Sequence, residues 1–205
     1  MPKITSEQFK KFEWIRDAFP LPALPSQTAW RSFSNDRVWM HVLRQVVVVG
    51  NAAPGQKLWS PTVRKGIKWS KLRGLSEREA KRAIWGALNE VGARYRGRTF
   101  KTCRKTNALS KNLEFLRKYP DGPKGFLRTI ATLEGSSSDK VVFVARHLSY
   151  IKNKGARDLL TTGFGLTNHH IALDARVLAV LRQMGIGIPR DVQSNRNAYE
   201  ALSEC

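Results

Sequence analysis

The sequence predicts an all-α protein of many short helices around one core, and three observations carry that expectation. Apolar residues recur at helical spacing along most of the chain. Short Gly, Pro and Asn turns punctuate it, and no stretch alternates as a strand does. The chain has 205 residues, 41% of them hydrophobic, enough to bury a real core.

The elements follow in order. Phe9, Phe12, Ile15 and Phe19 share a helical face behind Thr5 and Ser6, which can cap it. "PLPALPS", residues 20–26, breaks the chain into a stiff extended connector. Asn35 and Asp36 introduce "RVWMHVLRQVVVVGN". Its β-branched run has strand character, but its length and the face formed by Trp39, Val42, Leu43 and Val46 favour a buried helix. "SPTVRKGIKWSKL" predicts one helix, with Ser60 as cap and Pro61 in the first turn. Ser76 and Glu79 form a capping box before "AKRAIWGALNEVG". Further helices are expected at 109–118, 124–133, 141–152, 156–162, 175–184 and 195–202. They make one domain over 1–205, either compact or in two tightly joined lobes.

Composition excludes several classes. No apolar run approaches the roughly 20 residues of a membrane span, so no membrane partner is expected. The N-terminal "MPKITSEQFKKFEW" lacks the apolar stretch and cleavage site of a secretory signal. Cys103 and Cys205 are the only cysteines, too few for a disulfide framework, a zinc cage or an iron–sulfur cluster. A reducing, cytoplasmic setting fits best. His169 and His170 are adjacent, so their side chains diverge, and no cysteine or carboxylate cluster accompanies them. Neither a metal ion nor a cofactor is expected.

Charge is the loudest signal. Lys plus Arg is 36 against 16 Asp plus Glu, a formal net charge of +20. Residues 64–128 hold 19 basic and five acidic side chains, a balance of +14, and the other 140 residues supply +6. A polyanion is the natural partner, because neutralising its phosphates releases condensed counterions. Arg64, Lys65 and Lys68 stand beside Trp59 and Trp69, which are candidates for stacking on a base or for the core. "RYRGRTFKTCRK", residues 94–105, carries Arg94, Arg96 and Arg98 between aromatics, and reads as a phosphate-contacting or a solvated loop.

Two stretches carry chemistry. "KGFLRTIATLE" and "VVFVARHLSYI" read as helices joined by the turn "GSSSD". Such a hairpin offers backbone N–H groups and a positive helix end to one DNA phosphate, through Gly135, Ser136, Ser137 and Ser138. Lys140 falls in the first helical turn, where the helix dipole and partial burial both oppose its charge and favour a nucleophilic neutral amine. Outward snorkelling to a phosphate is the competing role. Asp174, in "NHHIALDARVLAV", reads on its own as a helix N-cap. Paired with an amine it acquires a second role. A fixed carboxylate stabilises the oxocarbenium-like state of N-glycosidic cleavage, and an amine or an activated water attacks C1′.

With those residues in place, the chain resembles the helix–hairpin–helix DNA glycosylases, nearest the archaeal 8-oxoguanine branch and related phage-defence glycosylases. The matching residues are Lys140 in "DKVVFVARHLSYI" and Asp174 in "IALDARVLAVL", 34 positions apart. "DRVWMHVLRQVVVVGNAAPGQKL" resembles the early helix and Gln-bearing turn beside the flipped base, which points to Gln45 and Asn51. Trp59, Trp69, His169 and His170 complete the candidate pocket. The hairpin departs from the common Leu-Pro-Gly-Val-Gly form. A rival nucleophile is Lys154 in "KNKGARDLL", 20 positions before Asp174 and nearer the spacing of the wider superfamily. The resemblance implies two closely packed helical lobes with a groove between them, 1–30 with 124–205 and 35–120, and a monomer that flips and excises a modified base from double-stranded DNA, an 8-oxoguanine-type lesion, with lyase activity if the amine attacks. Excision of hypermodified phage cytosine, such as glucosyl-hydroxymethylcytosine, is the alternative substrate. A non-enzymatic DNA binder and an RNA-binding module are the alternatives in kind.

Overall fold

A computed structural model of the chain describes residues 5–18, 24–93, 99–167 and 175–188. Among them every regular element is helical. The protein is all-α.

The centre is α2 (Asn35–Val47). It buries Val38, Trp39, Met40, Val42, Leu43, Val46 and Val47 around most of its circumference, and Arg37, His41 and Arg44 share the remaining face. Ser34 caps it by accepting the Arg37 N–H at 3.2 Å. Around it stand α3 (Ala53–Lys57), α4 (Pro61–Ile67), α5 (Trp69–Leu72), α6 (Glu77–Glu90) and α7 (Arg104–Arg117). Then come α8 (Pro123–Thr132), α9 (Ser137–His147) and α10 (Asn153–Asp158), which runs on into a π-helical turn, Leu159–Gly163. Helices α8, α7, α5 and α3 and the π turn all pack on α2. The remaining two helices are α1 (Ser6–Ala18) at one end of the chain and α11 (Ala175–Gln183) near the other.

Polar contacts set the helix ends. Ser76 and Glu79 make the expected capping box at α6, with the Ser76 N–H on Glu79 at 2.9 Å. The single helix expected over 60–72 is two helices. Lys68 is extended, and the Asp36 carboxylate takes the N–H of Ser70 at 2.7 Å and its hydroxyl at 3.0 Å, starting α5 afresh. The same end of α2 reaches α8, whose Lys124 N–H donates to Asn35 Oδ1 at 2.7 Å. Helix α7 begins five residues earlier than expected, at Arg104. Its Lys105 is buried, and the amine donates to the Val47 carbonyl at the end of α2, 2.6 Å away. That bond supplies a partner to one of the carbonyls a helix C-terminus leaves over.

One hydrophobic cluster runs from Phe33 to Phe164 and draws on α2 through α10. The cluster is continuous across residues 120–124. Each Val or Leu fully buried there contributes about 1.5–3 kcal/mol. A second, small cluster of Leu178, Met184 and Ile186 packs with Phe12 and Ile15, joining α11 to α1. Gln8 Nε2 adds a bond to the Met184 carbonyl at 3.2 Å. The expected helix over 195–202 lies outside the described residues.

Candidate functional site

The first hairpin differs from expectation in its boundaries. The expected turn, residues 135–139, is shorter: α9 already begins at Ser137, and Ser137, Ser138, Asp139 and Lys140 all lie in its first turn. Ser136 and Asp139 close a capping box. The N–H and hydroxyl of Ser136 donate to Asp139 Oδ2 at 2.8 and 2.7 Å, and the Asp139 N–H returns to Ser136 Oγ at 3.2 Å. The positive end of α9 thus faces a carboxylate of its own chain, where a phosphate was expected. Gly135, at φ 111°, is held close over that carboxylate; a Cβ there would lie 2.7 Å from Asp139 Oδ2. Ser138 is buried. Lys140 is half-buried, and its Nζ donates to the Ala131 carbonyl in the last turn of α8 at 3.0 Å.

A second hairpin follows at once. Helix α9 ends at His147, five residues before the expected end, and the chain turns through residues 148–152 into α10. Tyr150 sits at φ 69°, the only non-glycine with positive φ among the described residues. That left-handed turn is one a glycine adopts without strain, and other residues rarely adopt it. Leu148 and Ile151 anchor the turn in the core, each 2% exposed. Asn112 of α7 braces it: Oδ1 accepts the Ser149 N–H at 2.6 Å and Nδ2 donates to the Ser149 carbonyl at 3.0 Å. Lys152 is the N-cap of α10, with no side-chain cap bond. Lys154 lies exposed in the first turn.

The structure brings a third group of residues together at the N-terminal half of α2. A cavity of about 430 Å³ is lined by Ser34, Asp36, Arg37, His41, Trp59 and Arg64, with Met40 at its floor. His41 stacks on Phe33 with centroids 5.8 Å apart and meets Trp59 and Phe164 edge-on, at 5.8 and 5.9 Å. Arg37 lies over the other ring of that stack, its guanidinium 3.9 Å from the Phe33 centroid. Burial, with Arg37 and Arg44 adding to it, lowers the His41 pKa from 6.5 to about 4, so the imidazole is neutral at physiological pH. Its Nε2 is buried and has no hydrogen-bond partner among the described residues.

The remaining sequence-derived candidates divide. Trp59, 37% exposed, and Arg64 both reach the cavity. Trp69 does not: it is 5% exposed, packed on Trp39 and against Gly122, and belongs to the core. Gln45 is buried and donates to the Asp158 carboxylate of α10. Asn51 is exposed and accepts the Ala53 N–H at 3.0 Å, at the start of α3. Lys65 is exposed and Lys68 half-exposed. Arg94, Arg96, Arg98, His169, His170 and Asp174 lie outside the described residues. Arg37 and His41 escaped the sequence reading, yet Arg37, His41 and Arg44 recur at helical spacing on an otherwise apolar helix, a polar stripe that marks them.

Among the described residues no His, Cys, Asp and Glu cluster is placed to hold a metal ion. No helix among them is long and apolar enough to cross a membrane. Comparison of the chain with protein-family models, with curated proteins and with solved structures finds no match in any of the three.

Proposed function

We propose that this protein is a helix–hairpin–helix DNA N-glycosylase that works through the hairpin between α9 and α10, with Lys154 as its amine and Asp174 as its carboxylate. The observation that carries the reading is that hairpin. Residues 148–152 turn through a left-handed centre at Tyr150, a conformation that suits glycine, between two core anchors. The first turn of the next helix carries an exposed lysine 20 positions before Asp174. The α9 end is already satisfied by Asp139, which favours the second hairpin over the first.

The chemistry follows from the residue types. Duplex DNA is held by the basic 64–128 surface, and a modified nucleotide is extruded at a cost of a few kcal/mol for unstacking. As the C1′–N bond to the base breaks, positive charge grows on the sugar and the Asp174 carboxylate stabilises it. The Lys154 amine, once it has given up its ammonium proton, forms a bond to C1′ as the base leaves with the bonding pair; the C1′–O4′ bond then opens, O4′ takes up a proton that the nitrogen releases, and a Schiff base results. β-Elimination from that Schiff base then cleaves the 3′ phosphate ester. No cofactor takes part. The base is 8-oxoguanine or a related lesion; a hypermodified phage cytosine is the second substrate class.

Borohydride trapping on a panel of modified duplexes, with 8-oxoguanine duplexes and glucosyl-hydroxymethylcytosine phage DNA included, tests this. A covalent adduct lost in Lys154→Gln and kept in Lys140→Gln is the expected result. The reverse pattern transfers the role to Lys140. No adduct and no abasic product on any member of the panel overturns the enzyme reading and leaves a DNA-binding protein.

A further inference from the structure

The cavity beside α2 is not used by the hairpin chemistry, and its walls have a definite character. Trp59 offers an exposed aromatic face at the rim. Two guanidinium groups, Arg37 and Arg64, converge on the same space. Arg37 is held in place from behind by the Phe33 ring. The one carboxylate in the lining, Asp36, is already engaged by the backbone and hydroxyl of Ser70. At the back stands His41, wedged between three aromatic rings, with a buried nitrogen that no described residue satisfies. Buried polar atoms are almost always paired, so an unpaired one on a residue that lines a cavity leaves a polar group for a ligand or a water to meet. A volume of about 430 Å³ falls in the range of small-ligand pockets.

We propose that this cavity is a receptor for one nucleotide unit, with the base stacked on Trp59 and read along its edge by His41, and with the phosphate held between Arg37 and Arg64. Each part of the lining has a use under this assignment. Stacking on an aromatic face accepts any base, because every base has a π-face. Guanidinium groups suit the phosphate because their forked donors match its oxygens. A charged imidazole would compete for the phosphate. A neutral one offers Nε2 as either donor or acceptor, according to its tautomer, which suits a polar atom on the edge of a heterocycle. The unit is either a free nucleoside monophosphate or one nucleotide of a DNA strand, and the chemistry of the contacts is the same. The assignment rests on the DNA reading for its biological sense. Its failure leaves that reading standing, because Schiff-base trapping depends on Lys154 and not on monophosphate binding.

Calorimetric titration of the full chain with the four deoxynucleoside 5′-monophosphates, with phenyl phosphate, and with a single-stranded pentanucleotide tests it. Trp59→Leu and Arg64→Gln are the diagnostic variants, because both side chains are exposed and the thermal midpoint should not change. The expected result is saturable binding that weakens at least tenfold in each variant. Phenyl phosphate should bind at least tenfold more weakly than the best nucleotide, since it lacks an edge for His41. His41→Phe should flatten the preference among bases while leaving the Arg64 effect intact. Binding of monophosphates and pentanucleotide alike identifies a free-nucleotide site; binding of the pentanucleotide alone identifies a strand site. Either supports the assignment. Absence of binding by every nucleotide probe, binding unchanged in either of these two variants, or phenyl phosphate binding as tightly as nucleotides overturns it.

Discussion

The amine of Lys140 donates to the carbonyl oxygen of Ala131, 3.0 Å away, and so ties the first turn of α9 to the last turn of α8. The bond is a structural contact between two helices. A helix C-terminus leaves carbonyls without partners, and a cation there is favourable both as a donor and against the dipole. Replacing Lys140 by Met keeps the half-buried stem and removes the donor. The expected cost is about 1 kcal/mol, read as a lower urea midpoint with an unchanged slope. If Lys154 is the nucleophile, this variant still forms the borohydride adduct on the preferred substrate.

Asn112 should matter more than its position far from any lysine implies. It is 1% exposed and meets both the N–H and the carbonyl of Ser149. Asn112→Ala leaves two backbone groups of the hairpin without those partners and a small hole behind them. We expect a loss of about 2–4 kcal/mol, by the cost of unsatisfied buried groups and of a cavity. Asn112→Asp can still accept the Ser149 N–H but cannot donate to the carbonyl, so it should fall between the two. Duplex-DNA affinity measured at one fixed salt concentration should follow the same order, because the hairpin that Asn112 braces is the one through which the proposed function works. Equal affinity in all three proteins would separate DNA binding from this turn.

Much of the scaffold was legible in the sequence because its signals are local. The box of Ser76 and Glu79 announces itself by spacing, and α2 by being apolar on nearly every side. The Ser136 and Asp139 box was missed because aspartate replaces the longer acid usual at that position, so the serine run was read as turn. The second hairpin was hidden by Tyr150, a residue that nothing local marks as left-handed. Trp59 and Trp69 have equally basic neighbours in the chain, yet one is at a rim and the other in the core. Lysine is read as solvated by default, which is why Lys105 gave no warning of its burial. The cavity is assembled from α2, the turn after α3 and helix α4, so its residues become neighbours only in the fold.

Lys105 gives a prediction at alkaline pH. Burial lowers the pKa of its amine below the usual lysine value, with nearby Cys103 opposing the effect. The unfolded chain therefore holds one more proton than the native protein between the folded and unfolded values. In that window stability rises with pH, because the difference in bound protons between unfolded and native states is positive. Lys105→Met removes this contribution and leaves the Val47 carbonyl without that donor. The variant should be less stable by about 1–3 kcal/mol at pH 7. The gap to wild type should widen as pH rises toward 10. A gap that narrows over that range would mean that the buried amine is favoured in its charged form.

His41 imposes the opposite boundary, on the acid side. Its folded pKa of about 4 lies below the unfolded value of 6.5. Between the two, the unfolded chain binds a proton that the native protein refuses. Stability is unaffected above pH 6.5, declines as pH falls through the window, and reaches its full loss below about pH 4. At roughly 1.4 kcal/mol per pH step, the loss is about 3 kcal/mol. Carboxylates titrate over part of the same range, so the informative quantity is a difference between proteins. His41→Gln keeps a neutral polar side chain and has no proton to refuse. Urea midpoints of wild type and variant, taken from pH 7 to pH 4, should converge on acidification as wild type loses the larger share. Parallel curves would show that the imidazole meets water freely, and would remove the reason for treating its buried nitrogen as a recognition group. The same acid range reports on the cavity itself. A nucleotide that satisfies Nε2 of the neutral ring should protect the native state against this loss. Added deoxynucleoside monophosphate is therefore expected to raise the midpoint at pH 5 in wild type and not in Trp59→Leu.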